Sequence, residues 1–298
     1  MVGVVFNSNA GRGRATALRT ELERRLEEAF PDDWALAPTE RAGDGGRQTA
    51  RLLDAGATRI ASAGGDGTLS ECLAALMDTR IPLAVIPVGT GNDFGRQVGI
   101  RTLDEAIWNL RDDNIVDVDV GLAGGKPFLD TLACGFDSAV GQRANEGFRY
   151  LKGTAAYVGA IASTLRRYEA VEMEVNVDGK VWSGRAMLAA ICNCRSYGGG
   201  FQVAPEASIT DGLLDVVVVE RMSKARFVCQ LPKVMKGRHM SLPEVHHWTG
   251  KSVKLSVYPP IRWMLDGELQ GDTPVQVEIA PARRPMVIPA SDDAFEPL

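Results

Sequence analysis

The spacing of apolar positions changes character near the middle of the chain. Up to about residue 120, short apolar runs alternate with helical stretches. Val2 to Phe6 reads as a strand, followed by the loop Asn7 to Gly13. Ala15, Leu18, Leu22, Leu26 and Ala29 then recur at three- and four-residue steps, which predicts an amphipathic helix. Glu40 to Ala55 reads as a loop and helix, Arg59 to Ala63 as a short strand, Leu69 to Met77 as a helix, and Leu83 to Ile86 as a buried strand ending at Pro87. Strands that alternate with helices predict a largely parallel sheet covered on both faces. In such sheets ligands collect beyond the carboxyl ends of the strands.

Further along, Val171, Met173, Val175 and Val177 alternate with Glu172, Glu174 and Asn176, a period of two, and the turn signal Asp178-Gly179 follows. Val253-Leu255-Val257 and Val275-Val277-Ile279 share that rhythm, which predicts antiparallel sheet with one wet face. Leu151 to Tyr168 reads as one long helix between the halves. The expected fold is therefore an α/β domain over 1–122 with a parallel-type sheet and an antiparallel β-sandwich domain over 123–283, with a cleft between them. The segment from about 284 to 298 is a candidate to return to the first domain, with a frayed acidic tail from Asp292.

Composition narrows the class. The 298 residues are 45% hydrophobic and 24% charged, ordinary globular values. A net charge of −5 supplies no global field for phosphate backbones, so no nucleic-acid partner is expected. Five cysteines (Cys72, Cys134, Cys192, Cys194 and Cys229) lack paired metal-ligand spacing and read as reduced packing thiols. No secretory h-region opens the chain, and no apolar run nears the roughly 20 residues of a membrane span. The expectation is a cytoplasmic protein that meets any membrane substrate from the water side, in transient peripheral contact.

Chemistry concentrates in three loops. Ala63-Gly64-Gly65-Asp66-Gly67-Thr68 joins a strand to a helix, where glycines admit close approach and helix-start N–H groups bind phosphate oxygens. Asp66 repels phosphate, so its sensible role is to order Mg²⁺ or a reacting hydroxyl; a tight turn capped by Asp66 is the plainer alternative. The run lacks the lysine of a Walker loop. Pro87-Val88-Gly89-Thr90-Gly91-Asn92-Asp93-Phe94 also follows a buried strand, and Asn7 to Gly13 leaves the first one, with Arg12 and Arg14 available to offset phosphate charge. Three such loops on one side of a sheet predict a polyphosphate site.

With these motifs in order, the chain resembles the bacterial diacylglycerol kinase-type lipid kinases, relatives of the sphingosine kinases. The resemblance covers nearly the whole chain. It also takes in Cys134-Gly135-Phe136-Asp137, Lys152 to Tyr157, Tyr197-Gly198-Gly199-Gly200, Ile209 to Asp215 and Leu265-Asp266-Gly267-Glu268. It implies that Gly64, Gly65, Asp66, Gly67, Thr68, Leu69 and Ser70 bind ATP, with Thr39 and Thr90 as further nucleotide contacts; Asn7 and Asn92, in the two flanking loops, are candidate contacts beside them. It implies a Mg²⁺ site made of the Asp211 carboxylate and the main-chain carbonyls of Ser208 and Leu213; by itself Asp211-Gly212 reads as a hairpin turn. It also places the proton acceptor in Asp266-Gly267-Glu268.

Asp266 and Glu268 are two apart, so in an extended strand both side chains would leave one face; Gly267 between them permits a turn or close substrate approach, and a polar hairpin loop is the plainer alternative. Glu268 is favoured as base and Asp266 as its support, opposite a γ-phosphate held by the first domain. The expected reaction is phosphoryl transfer from ATP to a lipid alcohol, with diacylglycerol giving phosphatidic acid as the default. Two alternatives stand: a kinase of a soluble nucleotide such as NAD, whose family shares Gly-Gly-Asp-Gly, and a lipid-binding relative without catalysis. Two basic groups are candidates for membrane contact: Arg143, Arg149, Lys152, Arg166 and Arg167, and Lys233, Lys236 and Arg238. His239, His246 and His247 lack matched ligands, Trp248 and Trp263 are candidate core residues, and an unpaired sheet edge leaves a homodimer open.

Overall fold

The five residues of β1 (Val2–Phe6) are all buried, as an apolar run sandwiched by helices requires. Around it the computed structural model, which describes residues 1–147, 161 and 163–289, builds a six-stranded sheet in the order β2-β1-β3-β4-β17-β5. Here β2 is Trp34–Pro38, β3 Arg59–Gly64, β4 Leu83–Pro87, β5 Ile115–Val118 and β17 Arg284–Val287. Pairing is parallel from β2 through β17, and only β5 runs antiparallel. The helices α1 (Arg14–Ala29), α2 (Gly45–Asp54), α3 (Asp66–Leu76), α4 (Asp93–Gln97) and α5 (Leu103–Asp112) connect these strands. The predicted stripe of α1 is the one that packs, with Ala15, Leu22 and Leu26 at 0–1% exposure. At α5, Thr102 and Glu105 form a capping box, satisfying two N–H groups that the helix start leaves unpaired.

The chain divides into two units, Met1–Val120 with the chain from Pro281, and Gly121–Ala280. The second is an antiparallel sheet of eleven strands. Its axis is β10 (Lys180–Cys192), which follows β9 (Val171–Val177) through a two-residue turn. Asp178 and Gly179 both take positive φ there (48° and 88°), the backbone that Asp-Gly hairpins favour. The N-terminal part of β10 pairs with β9 and stays partly exposed; Leu188 to Cys192 lies between β8 (Thr131–Gly135) and β11 (Leu214–Glu220) and is buried throughout. That burial on both faces explains why this stretch is continuously apolar.

Two cores result. Met173, Val175, Val177, Ile191, Val216 and Val218 pack with Val253, Leu255 and Val277 on one face. Trp263 is buried in that core and Trp248 packs partly against it. On the other face, Leu188, Ala190 and Val217 meet Phe136 and Val140 of α6 (Phe136–Gly147) and Phe227 of α7 (Lys224–Val234). The expected helix Leu151 to Tyr168 is described at Ile161 and Ser163 to Arg167, which are helical, and at Tyr168, which is not; the rest lies outside the described residues, with Arg149, Lys152 and the acidic tail. Four of the five cysteines are buried, and Cys229 is exposed. Burial pushes the Cys72 thiol up to about 11, so this is a packing group and not a nucleophile.

Candidate active site

Strands β2, β1, β3 and β4 are neighbours, and their carboxyl ends place Thr39, Asn7, Gly65 and Val88 along one sheet edge. The chain goes from β1 outward to β2 and then returns to β3 on the other side, so a crevice opens between the loops after β1 and β3. Asn7 bridges that crevice. Its Nδ2 donates to Thr68 Oγ1 at 2.9 Å, and its Oδ1 accepts the Asn9 N–H at 3.0 Å. Thr39 is buried at 5% exposure, and its N–H donates to the Phe6 carbonyl at 2.8 Å.

The two glycine loops are locked together through backbone. The N–H groups of Val88 and Gly89 donate to the Gly64 carbonyl at 3.1 and 2.9 Å. A Cβ placed on Gly89 would lie 2.5 Å from Gly65 Cα, and one on Gly91 would lie 2.5 Å from Asp66 Oδ2. Glycine is thus required at 89 by close backbone approach and not by φ, whereas a side chain at 91 would displace the Asp66 carboxylate. Helix α3 starts at Asp66 with no side chain capping it, and Leu69 and Ser70 bond back to the carbonyls of Gly65 and Asp66. Thr68 and Leu69 are buried, whereas Thr90 is exposed on the outer rim. Asn92 sits at φ 52° before α4, and its Nδ2 donates to the Gly89 carbonyl at 3.0 Å. The structure thus brings Asn7, Gly64 to Ser70, Gly89 and Asn92 to one edge, where a helix start and glycine backbone offer N–H groups of the kind that suit an anion. The side chains of Arg12 and Arg14 lie outside the described residues.

Several supports escaped the sequence. Glu71 on α3 accepts the N–H groups of Gly43 and Gly45 at 2.7 and 2.6 Å, which pins the loop ahead of α2. Asp44 in that loop is held well below the usual carboxylate range, first by the Arg47 guanidinium and then by the Glu40 N–H. Asp93 pairs with Arg96 at 2.6 Å within α4.

In the second unit the carboxylates part company. Asp266 and Gly267 take positive φ (43° and 84°) and form the turn between β14 (Arg262–Leu265) and β15 (Glu268–Asp272). The shared strand face expected for Asp266 and Glu268 is therefore absent, because a left-handed turn breaks the extended backbone between them. Asp266 Oδ1 accepts the N–H groups of Asp130 and Thr131 at 3.1 and 3.0 Å, and Oδ2 that of Leu129 at 3.3 Å. It ties its turn to the start of β8. Glu268 is exposed at the first position of β15.

Asp211 Oδ1 accepts the Leu213 N–H at 2.9 Å around Gly212, whose φ is 76°, and Ser208 Oγ lies 3.3 Å from Thr210 Oγ1. The expected turn is present just ahead of β11. Among the described residues no group of three or more His, Cys, Asp or Glu side chains converges, so a cation in this unit would depend on main-chain oxygens beside a carboxylate. Two histidines do have carboxylate partners: His247 Nε2 lies 2.6 Å from Asp215 Oδ1 and His246 Nε2 2.8 Å from Glu220 Oε1. The Asp215 bond holds His247 above its usual value. These pairs brace β11 against β12 (Val245–Gly250).

Behind the sheet lies a pocket with a cavity volume of about 90 Å³. Phe136, Val140, Leu188, Val219, Phe227 and Val234 are among its walls. Two motifs 60 positions apart meet in it: the Tyr197 hydroxyl donates to Asp137 Oδ2. Burial pushes the Asp137 carboxyl up against that bond.

Comparison with known proteins agrees with this architecture. Residues 1–123 match the diacylglycerol kinase catalytic domain, and residues 130–287 match the YegS C-terminal NAD kinase beta sandwich-like domain. A Mycobacterium tuberculosis protein named diacylglycerol kinase is 32% identical over 94% of this chain and 93% of its own. One of the same name from Staphylococcus saprophyticus is 28% identical over 91% and 90%. The crystal structure of a diacylglycerol kinase from Bacillus anthracis superposes with a TM-score of 0.77 at 27% identity, covering 97% of both chains. Glycine loops at the carboxyl edge of a parallel sheet and an antiparallel second unit are thus the two halves of a known kinase plan, and the chain belongs to the diacylglycerol kinase family of phosphotransferases.

Proposed function

We propose that the chain transfers the γ-phosphoryl group of ATP to the hydroxyl of a lipid alcohol, with diacylglycerol, giving phosphatidic acid, as the first choice. The observation that carries the lipid reading is the pocket of the second unit. Its walls are mostly aliphatic and aromatic, with Asp137, Gln230 and His239 as the polar members, which suits acyl chains better than the sugars and phosphates of a dinucleotide.

In this reading the N–H groups at the start of α3 and the glycine backbones of 64–67 and 89–91 cradle the phosphates of ATP. Asn7, Thr39, Ser70, Thr90 and Asn92 line the nucleotide. Asp66, in contact range of the Gly91 backbone, orders the charge around the phosphates. Phosphoryl transfer asks mainly for alignment and neutralisation. The lipid oxygen attacks the γ-phosphorus, the bond to the β-phosphate oxygen of ADP breaks, and the alcohol proton passes to Glu268. The geometry favours this order of the two carboxylates. Asp266 accepts three main-chain N–H groups, which suits a positioning residue, and Glu268 is exposed at the start of its strand.

The Asp211 carboxylate with the carbonyls of Ser208 and Leu213 fits a Mg²⁺ ion in donor chemistry, since all are hard oxygens. When bound, Mg²⁺ would brace the turn before β11 and offset carboxylate charge. The test is ATP turnover by the purified chain with dispersed dioleoylglycerol and, in parallel, with NAD. Turnover with the lipid alone supports the reading; turnover with NAD alone replaces it with a soluble-nucleotide kinase.

A further inference from the structure

Helix α7 has two distinct faces. Phe227, Gln230, Leu231 and Val234 line the inner pocket. Positions three and four apart share a helix face, and Ala225, Val228, Cys229 and Pro232 form the opposite stripe, all exposed. Val228 is 45% exposed, and Met235, one residue past the helix, is 43% exposed. Large apolar side chains on an outer stripe carry a solvation cost that a partner would remove.

That stripe borders a second, shallower apolar depression, walled by Ala225, Val228 and Cys229 on one side and by Ile161 and Leu165 on the other. Ile161, Phe201 and Leu231 line both this depression and the inner pocket. Three side chains therefore stand between the outer surface and the interior. Phe201 closes a glycine turn in which Gly198, Gly199 and Gly200 all have positive φ.

The charge around this surface is opposite to that of the chain. From Arg221 to Pro243 there are six Lys or Arg residues and no Asp or Glu, in a protein of net charge −5. Lys224 and Arg226 pair with Glu169 and Glu244. Lys233, Lys236 and Arg238 make no ion pair among the described residues, and all three are exposed.

We propose that the outer depression is a portal seated on an anionic bilayer. Acyl chains of a membrane lipid pass from it between Ile161, Phe201 and Leu231 into the inner pocket, while Lys233, Lys236 and Arg238 engage lipid phosphates. The commitment to a bilayer rests on charge complementarity and on the continuity of the two cavities. It presupposes the lipid-kinase reading.

Cys229 lies in the portal wall and is the exposed member of the five cysteines, so the full chain carries its own labelling site. A polarity-sensitive maleimide dye there should shift to the blue with vesicles of phosphatidylcholine and phosphatidylglycerol, and much less with phosphatidylcholine alone. Replacing Lys233 and Lys236 by Ala should weaken vesicle binding roughly 30-fold, from ~1 kcal/mol per basic residue. Val228→Glu should cut turnover of vesicle-borne dioleoylglycerol at least tenfold while leaving dissolved dihexanoylglycerol within twofold. An unshifted dye, or a V228E protein that handles both lipids at wild-type rates or loses both equally, overturns the portal. If the wild type phosphorylates neither glycerolipid, the kinase reading fails, and the dye shift still decides whether this surface meets a bilayer.

Discussion

The glycine-loop edge of the first unit, proposed to hold the phosphates, and the apolar pocket of the second are built in opposite ways. The edge is made of backbone: N–H groups at a helix start, a carbonyl at Gly64 that accepts two N–H groups, and glycines that let two loops touch. Its parts lie in short runs along the chain. The pocket is made of side chains from α6, the 197–203 segment, β10, β11, α7 and the start of β12, spread from Phe136 to Val245 in sequence. A backbone site tolerates no added atom, whereas a side-chain pocket can be resized. Nucleotide binding should therefore be brittle to substitution and lipid choice adjustable.

The largest effect is expected at the proposed proton acceptor. Glu268→Gln should lower kcat by about 10²–10⁴, the usual worth of a general base, with unchanged thermal stability. Asp266→Asn should instead cost stability first, because one amide cannot replace a carboxylate that accepts three N–H groups. A Glu268→Gln enzyme at wild-type rate would remove the assignment. Next, Gly89→Ala forces a Cβ against Gly65 Cα and should cost about 1–3 kcal/mol of overpacking while raising the KM for ATP. Phe227→Ala should do the converse, changing lipid chain-length preference with the KM for ATP unmoved. If both variants alter both constants alike, the contrast between the two regions is wrong.

These two regions were also unequally legible in the sequence. Each glycine loop announces itself because a strand, a glycine run and a helix follow one another within about ten residues. The alternation from Val171 to Val177 and the Asp178-Gly179 turn likewise determine a hairpin from local chemistry alone. The pocket had no such signal. Asp137 and Tyr197 sit in separate motifs, and only the tertiary fold joins them. For Asp266-Gly267-Glu268 the spacing leaves a shared strand face and a polar hairpin loop both open, and the left-handed backbone at Asp266 and Gly267 makes it the hairpin. Glu71 and the histidine–carboxylate pairs went unread because their partners come from other elements.

Two smaller effects separate structural from chemical roles by pH. The folded-state value of His247 is raised by Asp215, so its contribution is complete below the ordinary histidine value and is lost as pH rises through the raised one. His247→Gln should therefore destabilise at pH 5.5, by about 1 kcal/mol for a partly exposed bond, and much less at pH 8.5. Asp137 is also raised, here by burial, so the folded state pays for its ionisation as pH climbs above the ordinary carboxylate range. Asp137→Asn should raise the melting temperature more at pH 8 than at pH 4, and thermal melts across that range check both signs.

The central claim is that the pocket of the second unit holds the lipid this kinase phosphorylates. A diacylglycerol carrying a photoreactive diazirine on its acyl chain tests it most directly, irradiated with the full protein and mapped by mass spectrometry. The account predicts adducts at pocket walls such as Phe136, Val140, Leu188, Val219 and Phe227, suppressed by unlabelled dioleoylglycerol. Adducts confined to other surfaces, or none under conditions in which the enzyme turns over NAD, would contradict it.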